Sequence, residues 1–488
     1  MRAYQKLELR TDSYIAPGAS AEARQSGPSP APVLGWTIHN GRFWLDAVGY
    51  LGAIYKEYGL ISSMGLQPPR CVFSFAPEYN KRLTEETDRF HWVRRRQHAA
   101  NPPQSDNDSL LNAARENIFT TWGEQYKTRG ILIRPAFRQS WISRWRDTMV
   151  AMTEQAFAAW RADQVRDVHE DLNRLVHSIA MKAVLGLDDE PRVELLYALE
   201  KKAPRENFGT TLLPFDLPGM PFRRLIRTTT QILAMLREII EEKQGRGGEP
   251  TDMLDVWMSA RTEQGVGLNQ LELVAEAYNL MHHSTTMSAL IWTLILVLQH
   301  PDVHASLVDE LTGALRGEAP AVQDFDKLPL LDYVVKESFR LLPPAAFGHR
   351  FTTEPCSFGP YQLPAGVKII YSAYITHRLP SIYKDPMYFL PQRWEKLKPS
   401  LYEYFPFGAR NRHCFGSMFA TMEIKIILAI LLQRFGLQIL SGQRIDRMPR
   451  RLTLLRPRRG VHMKVSSQNR QFTPGKITGN LLEMVEFE

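Results

Sequence analysis

A chain of 488 residues with 44% hydrophobic and 23% charged residues can bury a large core, and length alone allows two or three domains. Its cysteines, Cys71, Cys356 and Cys414, are too few for a disulfide framework and share no metal-finger spacing, which suits a reducing, cytoplasmic setting. The net charge of +8 is spread along the chain without an aromatic-interleaved basic stretch, so nucleic-acid binding is excluded and a basic face for an acidic protein partner is favoured.

Residues 1–26 read as a flexible segment. No apolar run there is long enough for a signal peptide or a membrane anchor, and the prolines at 28, 30 and 32 make a stiff, extended lead-in. Apolar residues at helical spacing predict a helix over 44–58 ended by Gly59. A β-rich run over 71–75 follows, then a helix opened by Pro77. Residues 91–117 are polar and irregular, as a binding loop would be. Helical patterns fill 141–187. Two amphipathic stretches between 190 and 246 flank a proline-rich link over 213–221, which suits a movable lid or a surface hairpin, and Phe208, Leu213 and Phe215 suggest an apolar guest.

Asn269 and Glu272 form a capping-box pattern before an unbroken helix predicted over 271–300, apolar nearly all round from Leu290 to Leu298, as in a helix running through a protein interior. In its middle stands Met281-His-His-Ser-Thr-Thr286. Glu337 and Arg340 lie three apart on a helix and face each other. Strand and hairpin chemistry occupies 349–372, and a terminal β pair is expected over 451–465. The tail over 466–488 lacks a core pattern and reads as peripheral.

Between these lies Phe405-Pro-Phe-Gly-Ala-Arg-Asn-Arg-His-Cys-Phe-Gly416, followed by an apolar helical pattern to about Phe435. Two glycines bracket a cysteine in a turn that feeds a helix N-terminus, where free N–H groups favour a thiolate, so Cys414 is either a metal ligand or an inert buried thiol. Phe407, Gly408, Arg412, Cys414, Gly416, Ala420 and Glu423 fall at the offsets of the cysteine-ligand loop of the cytochromes P450, and the chain resembles that haem-thiolate family from about Gly27 to Val465. Arg410 stands where the family usually has a second glycine.

The resemblance implies a mainly α fold with small β-sheets in one catalytic domain over 27–465, with a long central helix above haem b and the cysteine loop beneath it. Cys414 would be the axial thiolate on the iron, which favours O–O cleavage. Phe407 and Gly416 would shape the loop, and Tyr126, Arg350 and Arg412 would meet the haem, with Arg129 one residue before the family's arginine position. Arg393 would complete a structural triad with Glu337 and Arg340. Thr285 matches the threonine that relays protons. The acid beside it is replaced by Ser284, and His282 and His283 are candidates to stand in for it. The implied function is insertion of one oxygen atom from O₂ into a hydrophobic small molecule of terpenoid, fatty acid or polyketide type, as in secondary metabolism. Electrons would come from a ferredoxin or flavodoxin and its NAD(P)H reductase, docking on Arg410 and Lys425. The altered motif leaves open rearrangement, dehydration or peroxide chemistry, and a haem sensor or carrier without turnover is the alternative outside enzymes.

Overall fold

The computed structural model describes residues 27–28, 37–65, 69–92, 116–212, 217–246, 248–448, 453–458 and 460–487, with the side chains of 204–212 left aside. They fall into two compact units. The first contains residues up to 95, 153–172 and 285–488, and the second contains 96–152 and 173–284. Each unit draws on separated stretches of chain. The polar loop over 91–117 and the lid link at 213–216 fall mostly outside the described residues, as do the side chains of Phe208, Leu213 and Phe215.

The first unit carries all the described sheets. β1 (Ile61–Met64), β2 (Cys71–Ser74), β8 (Lys368–Tyr371), β5 (Gly348–Thr352) and β3 (Phe90–His91) lie side by side in that order. Only the β2–β8 pairing is parallel, joining Val72 to Ile369 across most of the sequence. The sheet buries Val72, Phe90 and Ile369 against Phe358 and Leu363 of the hairpin made by β6 (Cys356–Phe358) and β7 (Tyr361–Leu363). Cys71, on β2, is buried, and burial pushes its thiol up to about 12.

Local chemistry sets the helix ends. Asp46 caps the helix Ala47–Tyr58 by accepting from the Gly49 N–H, and Gly59 ends it at φ +79°. Among the described residues of 451–465, no local β pair is present. β10 (His462–Ser467) lies instead between β9 (Phe435–Ile439) and β4 (Val165–Asp167), a three-residue strand inside a region read as helical throughout. The tail is not peripheral either, since Leu481, Met484 and Val485 are buried and the Arg378 guanidinium donates to the Met484 carbonyl at 3.1 Å.

The second unit is helical. Glu190–Leu212 and Pro221–Gln244 pack side by side, and Pro221–Gln244 also meets Gln270–Leu280. The capping box at Asn269 and Glu272 is present. The long helix, however, is interrupted. It runs from Gln270 to Leu280, leaves helical geometry over 281–283, and resumes at Ser284–Leu298, where every residue from Met287 onward is buried. The stretch Gln270–Leu298 is long and apolar enough to cross a membrane, but 72% of its most apolar window is buried, as in a core helix.

Candidate functional site

The cysteine loop sits in the first unit between the core residue Phe405 and the helix Ser417–Arg434, which is buried from Met422 to Leu432. Its shape comes from a short chain of backbone bonds. Gly408 N–H donates to the Phe405 carbonyl at 3.0 Å, and Cys414 N–H reaches back to the Phe407 carbonyl at 2.9 Å. A one-turn 3₁₀ segment, Arg410–Arg412, lies between. Gly408 has φ +73°, and a Cβ there would stand 3.0 Å from the Arg412 carbonyl oxygen, so the position requires glycine. Arg410 also takes the left-handed conformation, at φ +48°, without being glycine. Holding an L side chain in that conformation costs about 1 kcal/mol locally.

Cys414 is partly buried. Burial pushes its thiol up, and the Gly416 N–H, just before the helix, pulls the other way by bonding to sulfur. Phe407 lies beside the thiol's loop with its ring edge-on to Phe339 at 5.4 Å. Arg412 is half-buried. In the same unit Arg350, on β5, is 4% exposed, is flanked by Trp92 and Tyr371 at 4.9 and 5.3 Å, and donates to the His349 carbonyl. Among the described residues no carboxylate meets it, which is unusual for a buried cation.

Glu337, Arg340 and Arg393 converge. Both oxygens of the wholly buried Glu337 carboxylate accept from Arg340, at 2.8 and 2.9 Å, and Oε1 also accepts from Arg393 Nε at 2.9 Å. Trp394 Nε1 and the Leu390 N–H fill the remaining lone pairs, and Arg340 spends its other N–H groups on the carbonyls of His377, Pro386 and Tyr388. Burial raises the Glu337 pKa but the two guanidinium groups outweigh it and hold the carboxyl below its usual range.

The other candidates lie apart. Thr285 is exposed in the first turn of Ser284–Leu298, with Ser284 half-buried before it. Nδ1 of His282 and Nδ1 of His283 each face a group other than Thr285. His282 Nδ1 donates to the Tyr278 carbonyl at 2.5 Å, and His283 is buried with Nδ1 3.5 Å from Glu200. Burial holds the His283 pKa down to about 4. In the second unit Tyr126 is half-buried on the helix Gly123–Ile133, and Arg129 is clasped by its own unit. Its guanidinium donates to Glu272 at 2.6 Å, Glu276 at 3.2 Å and the Glu116 carbonyl at 2.9 Å, so the carboxylates occupy the fork that a propionate would need. Burial pushes Glu276 up to about 7 in spite of that arginine. Lys425 is also not a docking residue: it is 9% exposed and donates to Asp332 at 2.7 Å. Arg434 is engaged by Glu154, while Arg410 remains exposed, with Tyr402 and Glu85 nearby. The grouping of His177, Glu200 and His283 escaped sequence reading because its members come from three distant segments.

The cytochrome P450 family model matches residues 26–465. The cyclooctat-9-en-7-ol 5-monooxygenase of Streptomyces melanosporofaciens is 25% identical over 86% of this chain and 90% of its own length. Cyclooctatin synthase of the same organism is 28% identical over 68% of this chain and 75% of its own. Among solved structures, a cyanobacterial CYP120A1 with retinoic acid bound superposes with a TM-score of 0.75 at 24% identity, covering 90% of this chain and 99% of that one. By this match over most of its length, and with the helical fold it predicts, the chain belongs to the cytochrome P450 family and is an oxidoreductase.

Proposed function

We propose that this protein is a haem-thiolate monooxygenase that inserts one oxygen atom from O₂ into an apolar small molecule, with Cys414 as the axial ligand of haem b. The single observation that carries the reading is the Cys414 loop. A partly buried sulfur accepts the Gly416 N–H at the start of a long buried helix, on a turn held by Gly408. Arg350 supports it, because a buried guanidinium without a carboxylate among the described residues fits an anionic propionate of a porphyrin. Arg412, half-buried on the loop itself, is the second propionate partner we propose. Bound haem supplies the oxygen-activating redox chemistry.

This chain's own residues supply the setting. The Gly416 N–H bond to sulfur steadies negative charge there. The Thr285 hydroxyl, exposed at the head of its helix, can accept and donate a proton in turn. For substrate class the named relatives point to an unsaturated alcohol of largely hydrocarbon character, the terpenoid type, as cyclooctat-9-en-7-ol is for one of them. Electrons would come from a ferredoxin or flavodoxin and its NAD(P)H reductase, with Arg410 the exposed cation nearest the loop on the docking face. The test is the spectrum of the reduced, CO-bound protein. The parent should show the far red-shifted band of thiolate ligation and Cys414→Ala should lack it, whereas a variant that kept the band would refute the assignment.

A second reading, rearrangement, dehydration or peroxide-driven chemistry, is favoured by one specific observation. Ser284 replaces the acid before Thr285, while His282 Nδ1 is taken up by the Tyr278 carbonyl and His283 Nδ1 is buried facing Glu200. NADPH-driven O₂ consumption with a surrogate ferredoxin system separates the two, since only the first reading requires product in proportion to O₂ used.

A further inference from the structure

The second unit contains a buried group of donors that the cysteine loop does not use. His177 comes from the helix Val168–Ala180, Glu200 from the helix Glu190–Leu212, and His283 from the interruption over 281–283. Glu200 Oε2 lies 3.3 Å from His177 Nδ1 and 3.5 Å from His283 Nδ1, and all three donor atoms fall within 4.8 Å of one another. Each side chain is 9% exposed or less.

Hydrogen bonding accounts for only part of this convergence. His177 Nε2–H donates to the Val193 carbonyl at 3.0 Å, which leaves Nδ1 facing a Glu200 carboxylate oxygen. His177 Nδ1, His283 Nδ1 and Glu200 Oε1 all lack a hydrogen-bond partner. Electron-rich atoms packed together in a water-poor site repel unless a cation sits between them.

We propose that His177, Glu200 and His283 bind one zinc ion. Zinc bonds of about 2.0–2.2 Å to nitrogen and oxygen set a tetrahedral donor-to-donor edge of about 3.4 Å. The separations of 3.3 and 3.5 Å from Glu200 to the two imidazoles match that edge. An octahedral ion at the same bond lengths calls for edges of about 3.0 Å. Two imidazoles and one carboxylate suit zinc, with a water as the fourth ligand. The outer shell is also in place, because the Val193 carbonyl takes the N–H of the far ring nitrogen of His177, as second-shell carbonyls do for ligating histidines. The consequence is local. The ion ties the helix Glu190–Leu212 to the three residues that interrupt the long helix, and so fixes the chain where it leaves helical geometry.

The test uses the haem-loaded protein, stripped with a chelator, dialysed against zinc chloride near neutral pH, and analysed for zinc and iron by mass spectrometry. The parent should retain one zinc per chain, and Glu200→Gln and His283→Gln should bind it at least tenfold more weakly in competition with a chromophoric chelator, at unchanged iron content. Zinc should also raise the thermal midpoint of the parent but not of the variants. Equal zinc in parent and variants overturns the proposal, as does a parent that retains none. Should either variant fail to fold, anomalous scattering at the zinc edge from parent crystals decides: a peak between His177 Nδ1 and Glu200 supports the site, and its absence there refutes it. None of these readouts depends on monooxygenase turnover, so their failure is distinct from failure of the proposed function.

Discussion

Arg410 shows how much a turn tolerates when its neighbours fix it. Held at φ +48° between Gly408 and Cys414, it pays for an L side chain in left-handed geometry, so Arg410→Gly should leave thermal stability of the haem-loaded protein unchanged or raise it by up to about 1 kcal/mol. Arg410→Val, β-branched in the same conformation, should lower it by at least that amount. Charge reversal separates Arg410 from Lys425. Arg410→Glu should slow reduction by an acidic ferredoxin at low salt and leave the melting point alone, because its side chain is 58% exposed. Lys425→Glu should instead destabilise the fold by about 3–5 kcal/mol, since it buries a second carboxylate against Asp332. Stopped-flow reduction and thermal melts of both variants check the pair. Sequence placed both cations on the helix side of the loop, yet which one water reaches depends on Asp332, 93 positions away.

Among the elements, the Glu337 network has both carboxylate oxygens fully engaged by hydrogen-bond donors. Glu337→Ala should cost about 3–5 kcal/mol, because it strands Arg340 at zero exposure and Arg393 beside it, and haem retention after mild heating should fall accordingly. Replacement of Arg393 alone should cost less, as it is 9% exposed and donates part of its fork to the Lys384 and Asp385 carbonyls. This element was legible in sequence because a Glu and an Arg three apart must share a helix face, and so was the cysteine loop, whose shape is set by backbone bonds within about ten residues. The interruption at 281–283 was not. Its residues carry no proline or glycine, and His283 faces a carboxylate from a distant helix that sequence spacing cannot reveal. β4 was likewise invisible, since a strand of three residues is defined by its partner β10 rather than by any alternation of its own.

Across the whole molecule, buried neutral histidines set the acid limit. Burial alone holds His304 down to about 4, against an ordinary value near 6.5, and its ring packs on Phe472 at 4.3 Å. The unfolded chain therefore binds a proton that the folded chain refuses, and the stability this histidine contributes is complete above about pH 6.5 and is lost as pH falls toward 4. Denaturant midpoints measured from pH 7 to pH 4 should decline, and His304→Leu should flatten that decline by a few kcal/mol at the acid end.

The parallel pairing of β2 with β8 carries a further consequence, for how the protein is made. Val72 finds Ile369 only after nearly three hundred intervening residues have left the ribosome, and Val485 must follow before the tail can close over the same unit. At ordinary synthesis rates the wait for β8 is roughly 15–60 s, during which the early strands have no permanent neighbour on one side. Hence the five-stranded sheet is completed late, and β1 and β2 must wait as an isolated hairpin with an open edge.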